Sequence, residues 1–180
     1  MSTAKFRLMI RAYLGTVAAL VIAGVFLVSA AGKIRNPGAY RGFRTSVTDL
    51  TGLPPGPARL TAPAVIGAEL LVVALVAIRS VTAPILALLL LTAFTVVLGR
   101  ARTRATDRPC NCFFASTSPV GTRHVVRNIV LMLVGAAALA LRTMPLAPGG
   151  WAMAALAAGP LVAVVVYWDT LADLFTPMAA

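Results

Sequence analysis

Cysteine, histidine and acidic residues are scarce in this 180-residue chain, and each shortage excludes a class of protein. Two cysteines are too few for a disulfide scaffold and, with one residue between them, too close for a zinc finger. The single histidine, His124, has no second imidazole to help it bind a metal, so it reads as an interfacial or loop-facing residue. Charged residues make up 12% of the chain, about half the usual share of a soluble domain. A chain that is 59% hydrophobic, with a mean hydropathy of +0.91, cannot hide its apolar surface in a soluble core of this size. The fold class is therefore all-α and polytopic in a membrane. The net charge of +11 would point to nucleic acid in a soluble protein. Here the basic residues flank apolar runs, where the lipid bilayer and its anionic headgroups are the expected partner and nucleic acid is not.

What the chain does have is apolar runs long enough to span a bilayer as helices. Ala12 to Gly32 contains no charged residue. It follows the basic Lys5, Arg7 and Arg11 and exceeds the h-region of a signal peptide, so it is expected to stay as a first transmembrane helix. The stretch from Lys33 to Arg59 is a loop punctuated by Asn36-Pro37-Gly38 and Pro54-Pro55-Gly56-Pro57. Inside it Tyr40, Phe43 and Val47 recur at helical spacing beside Arg41 and Arg44, predicting a short amphipathic helix on the membrane surface that acts as a lid or anchor. Leu60 to Ile78, broken only by Glu69, and a third run ending at Gly99 form a hairpin about Arg79-Ser80-Val81-Thr82-Ala83-Pro84. Ser118-Pro119 is an N-cap signal for a fourth helix to about Leu141. Trp151 to Trp168 is a fifth apolar run with aromatic residues near its ends, expected to kink at Gly159-Pro160. A short tail holds Asp169 and Asp173. No internal repeat is present, which with five short spans and one buried acid argues against a transporter.

Both cysteines fall in one stretch, Arg108-Pro109-Cys110-Asn111-Cys112-Phe113-Phe114, between the third and fourth helices. Sulfurs this close can cycle between dithiol and disulfide or present two thiolates to a soft metal such as Cu(I). The methionines are scattered rather than gathered around the pair, which argues against copper. The surroundings are polar and rich in arginine, where thiolates form, rather than apolar as for a buried structural cysteine. Counting crossings brings Lys33, Glu69, the cysteine loop, His124, Arg127 and Asn128 to one membrane face. Glu69 is the one acid inside a span, and an intramembrane carboxylate implies a partner. Lys33 and Arg127 are the candidates, either in a structural ion pair or with the carboxyl moving protons. Arg127 and Asn128 are read as supporting residues beside the cysteines. Lys/Arg residues number eleven on the cysteine face and five on the other, which points to the cytoplasm. The basic segment before the first helix and disulfide chemistry both point the other way.

Ser29-Ala30-Ala31-Gly32-Lys33, the proline-rich approach to the second helix, Glu69, and Cys110-Asn111-Cys112-Phe113 before Arg127-Asn128 resemble, in this order, the MauE branch of the DoxX-like membrane proteins. The likeness covers about residues 12 to 141. It implies a four-helix transmembrane domain over 1–142, with 143–180 an additional transmembrane helix and tail. It further implies a multi-pass protein of the bacterial inner (plasma) membrane with an extracytoplasmic cysteine loop and Cys110 and Cys112 as a redox pair. The family is linked to disulfide formation in maturing methylamine dehydrogenase. The layout is also similar to the four-helix vitamin K epoxide reductases, though those use C-x-x-C. Where the family continues C-x-C-F-G, this chain has Phe114-Ala115.

The expected function is a membrane thiol–disulfide oxidoreductase supporting disulfide formation in a partner protein. Cys110, Cys112, Glu69 and Lys33 would be its central residues, with Arg108, His124, Arg127 and Asn128 in support. With two cysteines it needs an outside electron acceptor, either a membrane quinone resting on Phe113 and Phe114 or a thioredoxin-like protein. The alternative is a non-enzymatic membrane scaffold or a protein handling soft metals.

Overall fold

The structure, a computed structural model, describes residues 3–52, 54–103, 122–141 and 148–175. Among them every element is a helix: α1 Thr3–Ile34, α2 Pro37–Thr51, α3 Pro55–Ala77, α4 Thr82–Thr103, α5 Thr122–Ala140, α6 Pro148–Val166 and α7 Trp168–Phe175. Four of them, α1, α3, α4 and α6, are long and apolar enough to cross a membrane, and α5 contributes a shorter apolar segment, His124–Ala140. Large apolar side chains point outward, among them Leu60, Leu133 and Leu156 at 77%, 66% and 72% exposure. Water would oppose that arrangement and lipid favours it. The chain is a multi-pass membrane protein.

Helix α1 is the central element, touching α2, α3, α4, α5 and α6. Its Val21, Ile22, Val25 and Phe26 form the core with Val72 of α3, Ala87 and Leu91 of α4, Leu131 of α5 and Ala158 of α6. It starts at Thr3 rather than at the expected Ala12. Lys5, Arg7 and Arg11 limit what enters hydrocarbon, yet lysine, arginine, leucine and methionine all favour helix, so the backbone has no reason to break there. Helix α3 likewise begins before Leu60, at Pro55, because proline at the first helical position gives up an N–H that has no intrahelical partner.

Small residues let α1 lie close against the end of α5 and against α6, as lipid-embedded helices require. A Cβ on Gly15 would stand 2.8 Å from the carbonyl oxygen of Leu141, and one on Gly24 would stand 2.6 Å from Val162 Cγ2. Gly15→Ala should therefore push backbone against backbone and destabilise by about 1–3 kcal/mol, seen as a lower Tm in detergent. Gly67→Ala, at a position with nothing within 4 Å, should leave Tm level or raise it; equal losses from the two would refute the close approach. Helix α6 continues through Pro160 to Val166, and the segment with Asp169 and Asp173, expected as a tail, folds as α7.

The turns follow local chemistry. Asn36 caps α2, its side chain accepting from the Ala39 N–H at 2.8 Å, and Gly52 ends the helix at φ 70°. After α3, Arg79 takes φ 57°. Its N–H donates to Val76 and that of Ser80 to Leu75, the paired bonds of a Schellman ending. Arg79 also lies 4.7 Å from the Trp151 ring, which ties the α3–α4 turn to the start of α6.

Candidate functional site

The amphipathic helix α2 packs on α1, α3 and α4. Phe43, Ser46, Val47 and Leu50 are its buried residues, and they recur every three or four positions because one face turns inward. Phe43 and Val47 join Ala30 of α1 and Ala62 and Ile66 of α3 in a second apolar cluster. Next to that cluster are the buried polar side chains of Ser29, Lys33 and Glu69.

Ser29 and Lys33 are one turn apart on α1, so both side chains fall on the same face. That face meets Glu69 of α3. Lys33 Nζ donates to Glu69 Oε1 at 2.6 Å, to Glu69 Oε2 at 2.9 Å and to Ser29 Oγ at 2.6 Å. Ser29 Oγ donates in turn to Glu69 Oε1 at 3.0 Å. An ammonium has three hydrogens and a hydroxyl one, so every donor of this triad has an acceptor inside it. Glu69 is 0% exposed and Lys33 5%. The Phe43 ring lies 5.0 Å from Lys33 Nζ, adding a cation–π contact from α2. Three helices therefore converge on one lysine.

Beside the triad is a cavity of about 40 Å³ lined by Ser29, Lys33, Phe43, Leu50, Glu69, Phe94, Val97, Leu98, Arg127 and Asn128. It has room for about two or three waters, and its polar side chains can hold them. Asn128 Nδ2 donates to Thr95 Oγ1 at 3.4 Å, joining α5 to α4. Arg127 Nη1 stands 3.7 Å and His124 Nδ1 3.8 Å from Asp169 Oδ2 of α7.

Of the two cations offered to Glu69 by sequence, Lys33 is its partner and Arg127 faces Asp169. His124, expected at the interface or toward the loop, is 4% exposed and packed where α7 folds back. The residues around His124 in sequence carry no sign of the acid that reaches it from a distant helix. Phe43 as the ring beside Lys33 and Thr95 as the partner of Asn128 were also missed, and nothing in their local sequence marks them. Cys110, Cys112, Arg108, Phe113 and Phe114 lie outside the described residues. The stretch that holds them joins α4 to α5, whose C-terminal and N-terminal portions supply Phe94, Val97, Leu98, Arg127 and Asn128 to the cavity wall.

The family model described as methylamine utilisation protein MauE matches residues 11–142, from the start of the apolar part of α1 to just past α5. The chain belongs to the MauE family. The MauE match takes in both cysteines and the Lys33–Glu69 pair and leaves α6 and α7 outside it. Comparison with curated proteins and with solved structures found no match.

Proposed function

We propose that this MauE-family protein is a membrane thiol–disulfide redox protein that makes disulfides in a partner during maturation, as methylamine utilisation requires. The supporting observation is a water-sized cavity, mostly apolar but lined in part by Lys33, Glu69, Arg127 and Asn128, and walled by the ends of the two helices that flank the Cys110/Cys112 segment. In the proposed cycle a partner thiolate attacks the Cys110–Cys112 disulfide, forming a mixed disulfide. The partner's second thiol resolves it, leaving the partner oxidised and Cys110 and Cys112 as thiols. Re-forming their disulfide releases two electrons and two protons to an external acceptor, either a membrane quinone reduced to quinol or a thioredoxin-like disulfide protein. The pair acts on the extracytoplasmic side of the cell membrane, where disulfides persist.

Cys110→Ser and Cys112→Ser are each expected to abolish oxidation of a reduced dithiol partner while Tm stays near that of the parent. Full oxidation by the doubly substituted protein would end the proposal. Labelling intact cells with a membrane-impermeant maleimide after reduction of disulfides reports the side, and thiols that label only once the cells are permeabilised would put the pair in the cytoplasm.

A second reading, a non-enzymatic membrane scaffold, is favoured by one observation. The Lys33–Ser29–Glu69 triad is closed on itself, with every donor used, as suits a lock between helices. It predicts dispensable cysteines, so the same substitutions separate the two.

A further inference from the structure

Helix α2 has two sides, and the bundle uses one of them. Its buried residues Phe43, Ser46, Val47 and Leu50 lie on the side packed against α1, α3 and α4. A helix lying in the plane of a membrane turns its apolar side into lipid. Here that side is spent on the protein interior, and among the described residues of α2 no large apolar side chain is exposed. The spanning helices differ: α3 exposes Leu60, Leu70 and Leu71, and α4 exposes Ile85 and Leu89. The outer side of α2, with Gly38, Arg41, Thr45 and Asp49 exposed, has nothing to place in hydrocarbon and faces water. The helix caps the bundle end rather than lying on the membrane surface as its sequence suggested.

That outer side is basic. From Arg35 to Arg59 the chain carries four arginines, Arg35, Arg41, Arg44 and Arg59, against one acid, Asp49. Arg41 is exposed, Arg44 half-buried, and Arg59 exposed in the first turns of α3. Arg41 Nε donates to the Pro37 carbonyl one turn back at 3.2 Å, which holds the guanidinium along the helix and leaves its Nη hydrogens for a carboxylate. Thr45 and Thr48 return their hydroxyls to the carbonyls of Arg41 and Arg44 at 3.1 and 3.2 Å, so charge is the main signal of this side. We propose that α2 and the first turns of α3 form a docking platform for an acidic segment of a partner protein. A guanidinium held in place suits a carboxylate, which accepts two parallel N–H bonds. Basic charge facing water also steers an acidic partner on approach. The platform roofs the cavity beside Lys33 and Glu69, since Phe43 and Leu50 of α2 line it together with the ends of α4 and α5. A partner docked there is at the end of the bundle where α4 and α5 lead into the segment with Cys110 and Cys112. Naming it as the protein whose thiols are oxidised rests on the proposed redox function; the docking itself does not.

The test is a binding measurement on the full chain in nanodiscs of zwitterionic lipid. The probes are two labelled peptides of equal length without cysteine, one rich in Asp and Glu and the other in Lys. The acidic peptide is expected to bind at least about tenfold more tightly at low salt and to lose most of that margin at about 0.5 M salt. A chain of net charge +11 attracts any polyanion, so position decides. Arg41→Gln with Arg44→Gln should weaken acidic-peptide binding about threefold to tenfold. Arg41→Lys with Arg44→Lys, which keeps the charge, should retain most of it, and Lys5→Gln with Arg7→Gln at the opposite end should leave it unchanged. Equal affinity in the parent and the Arg41→Gln/Arg44→Gln variant overturns the proposal, as does an equal loss from the Lys5/Arg7 pair. If the glutamine variant binds the peptide as the parent does but no longer gains Tm from anionic lipid, the arginines serve headgroups and the proposal fails. Because neither peptide carries a thiol, failure here leaves the redox reading to the cysteine substitutions, and failure of that reading leaves the platform standing.

Discussion

Glu69→Ala is expected to cost about 3–5 kcal/mol, one of the largest losses any single substitution in this chain should produce. The ammonium of Lys33 directs its hydrogens to Glu69 and Ser29, and the lysine is 5% exposed. Removing the carboxylate leaves that charge in a site where a few cavity waters at most can replace its counter-ion. The intact pair is a different matter. Its mutual attraction is largely offset by the desolvation of both ions, so its net contribution is small although breaking it is severe. Lys33→Met combined with Glu69→Leu should therefore recover most of the Tm lost by Glu69→Ala. A double variant as unstable as the single would show that shape, and not stranded charge, is the source of the loss. The same double variant separates lock from chemistry. If it folds normally and still oxidises a partner, the pair only holds helices.

Phe43→Ala is expected to cost about 3–5 kcal/mol as well. The ring is 4% exposed, packs in the cluster of Ala30, Val47, Ala62 and Ile66, and lies 5.0 Å from Lys33 Nζ. Truncation opens a void beneath α2 and removes a cation–π contact of about 0.5–2 kcal/mol. Phe43→Leu retains much of the volume and should lose less, with the difference between the two variants reporting packing. The effect should be local first. Limited trypsin digestion at Arg41 and Arg44 is expected to speed up in Phe43→Ala, because α2 detaches before the transmembrane helices separate. Unchanged cleavage there would mean α2 is held by something other than its phenylalanine.

Much of this was legible along the chain. Runs of uncharged residues marked the spans, since a bilayer punishes each charge in its interior. Asn36-Pro37 marked the start of α2 through capping geometry that depends on a few neighbouring residues, whereas its end at Gly52 came from the structure. Glu69 stood out because an acid in hydrocarbon has to be explained, and parity placed Lys33, Arg127 and Asn128 at the same end. Helix starts were less legible. Thr3 and Pro55 precede the spans they lead into, because the residues that leave the membrane are not those that leave the helix. Arg79 in the left-handed region was not legible either, since no glycine marks that ending.

Pattern along the sequence settled that this protein crosses a membrane as helices and which end of the bundle holds its polar groups, because burial cost and crossing parity act on each run separately. Tertiary structure alone decided that Lys33 takes Glu69 while Arg127 turns to Asp169. Charge complementarity offers several equivalent matches among two cations and two acids. Only the packing of α1 on α3 and the return of α7 to α5 bring particular atoms within hydrogen-bonding or ion-pair distance, and that selection rests on positions up to 42 residues apart in sequence.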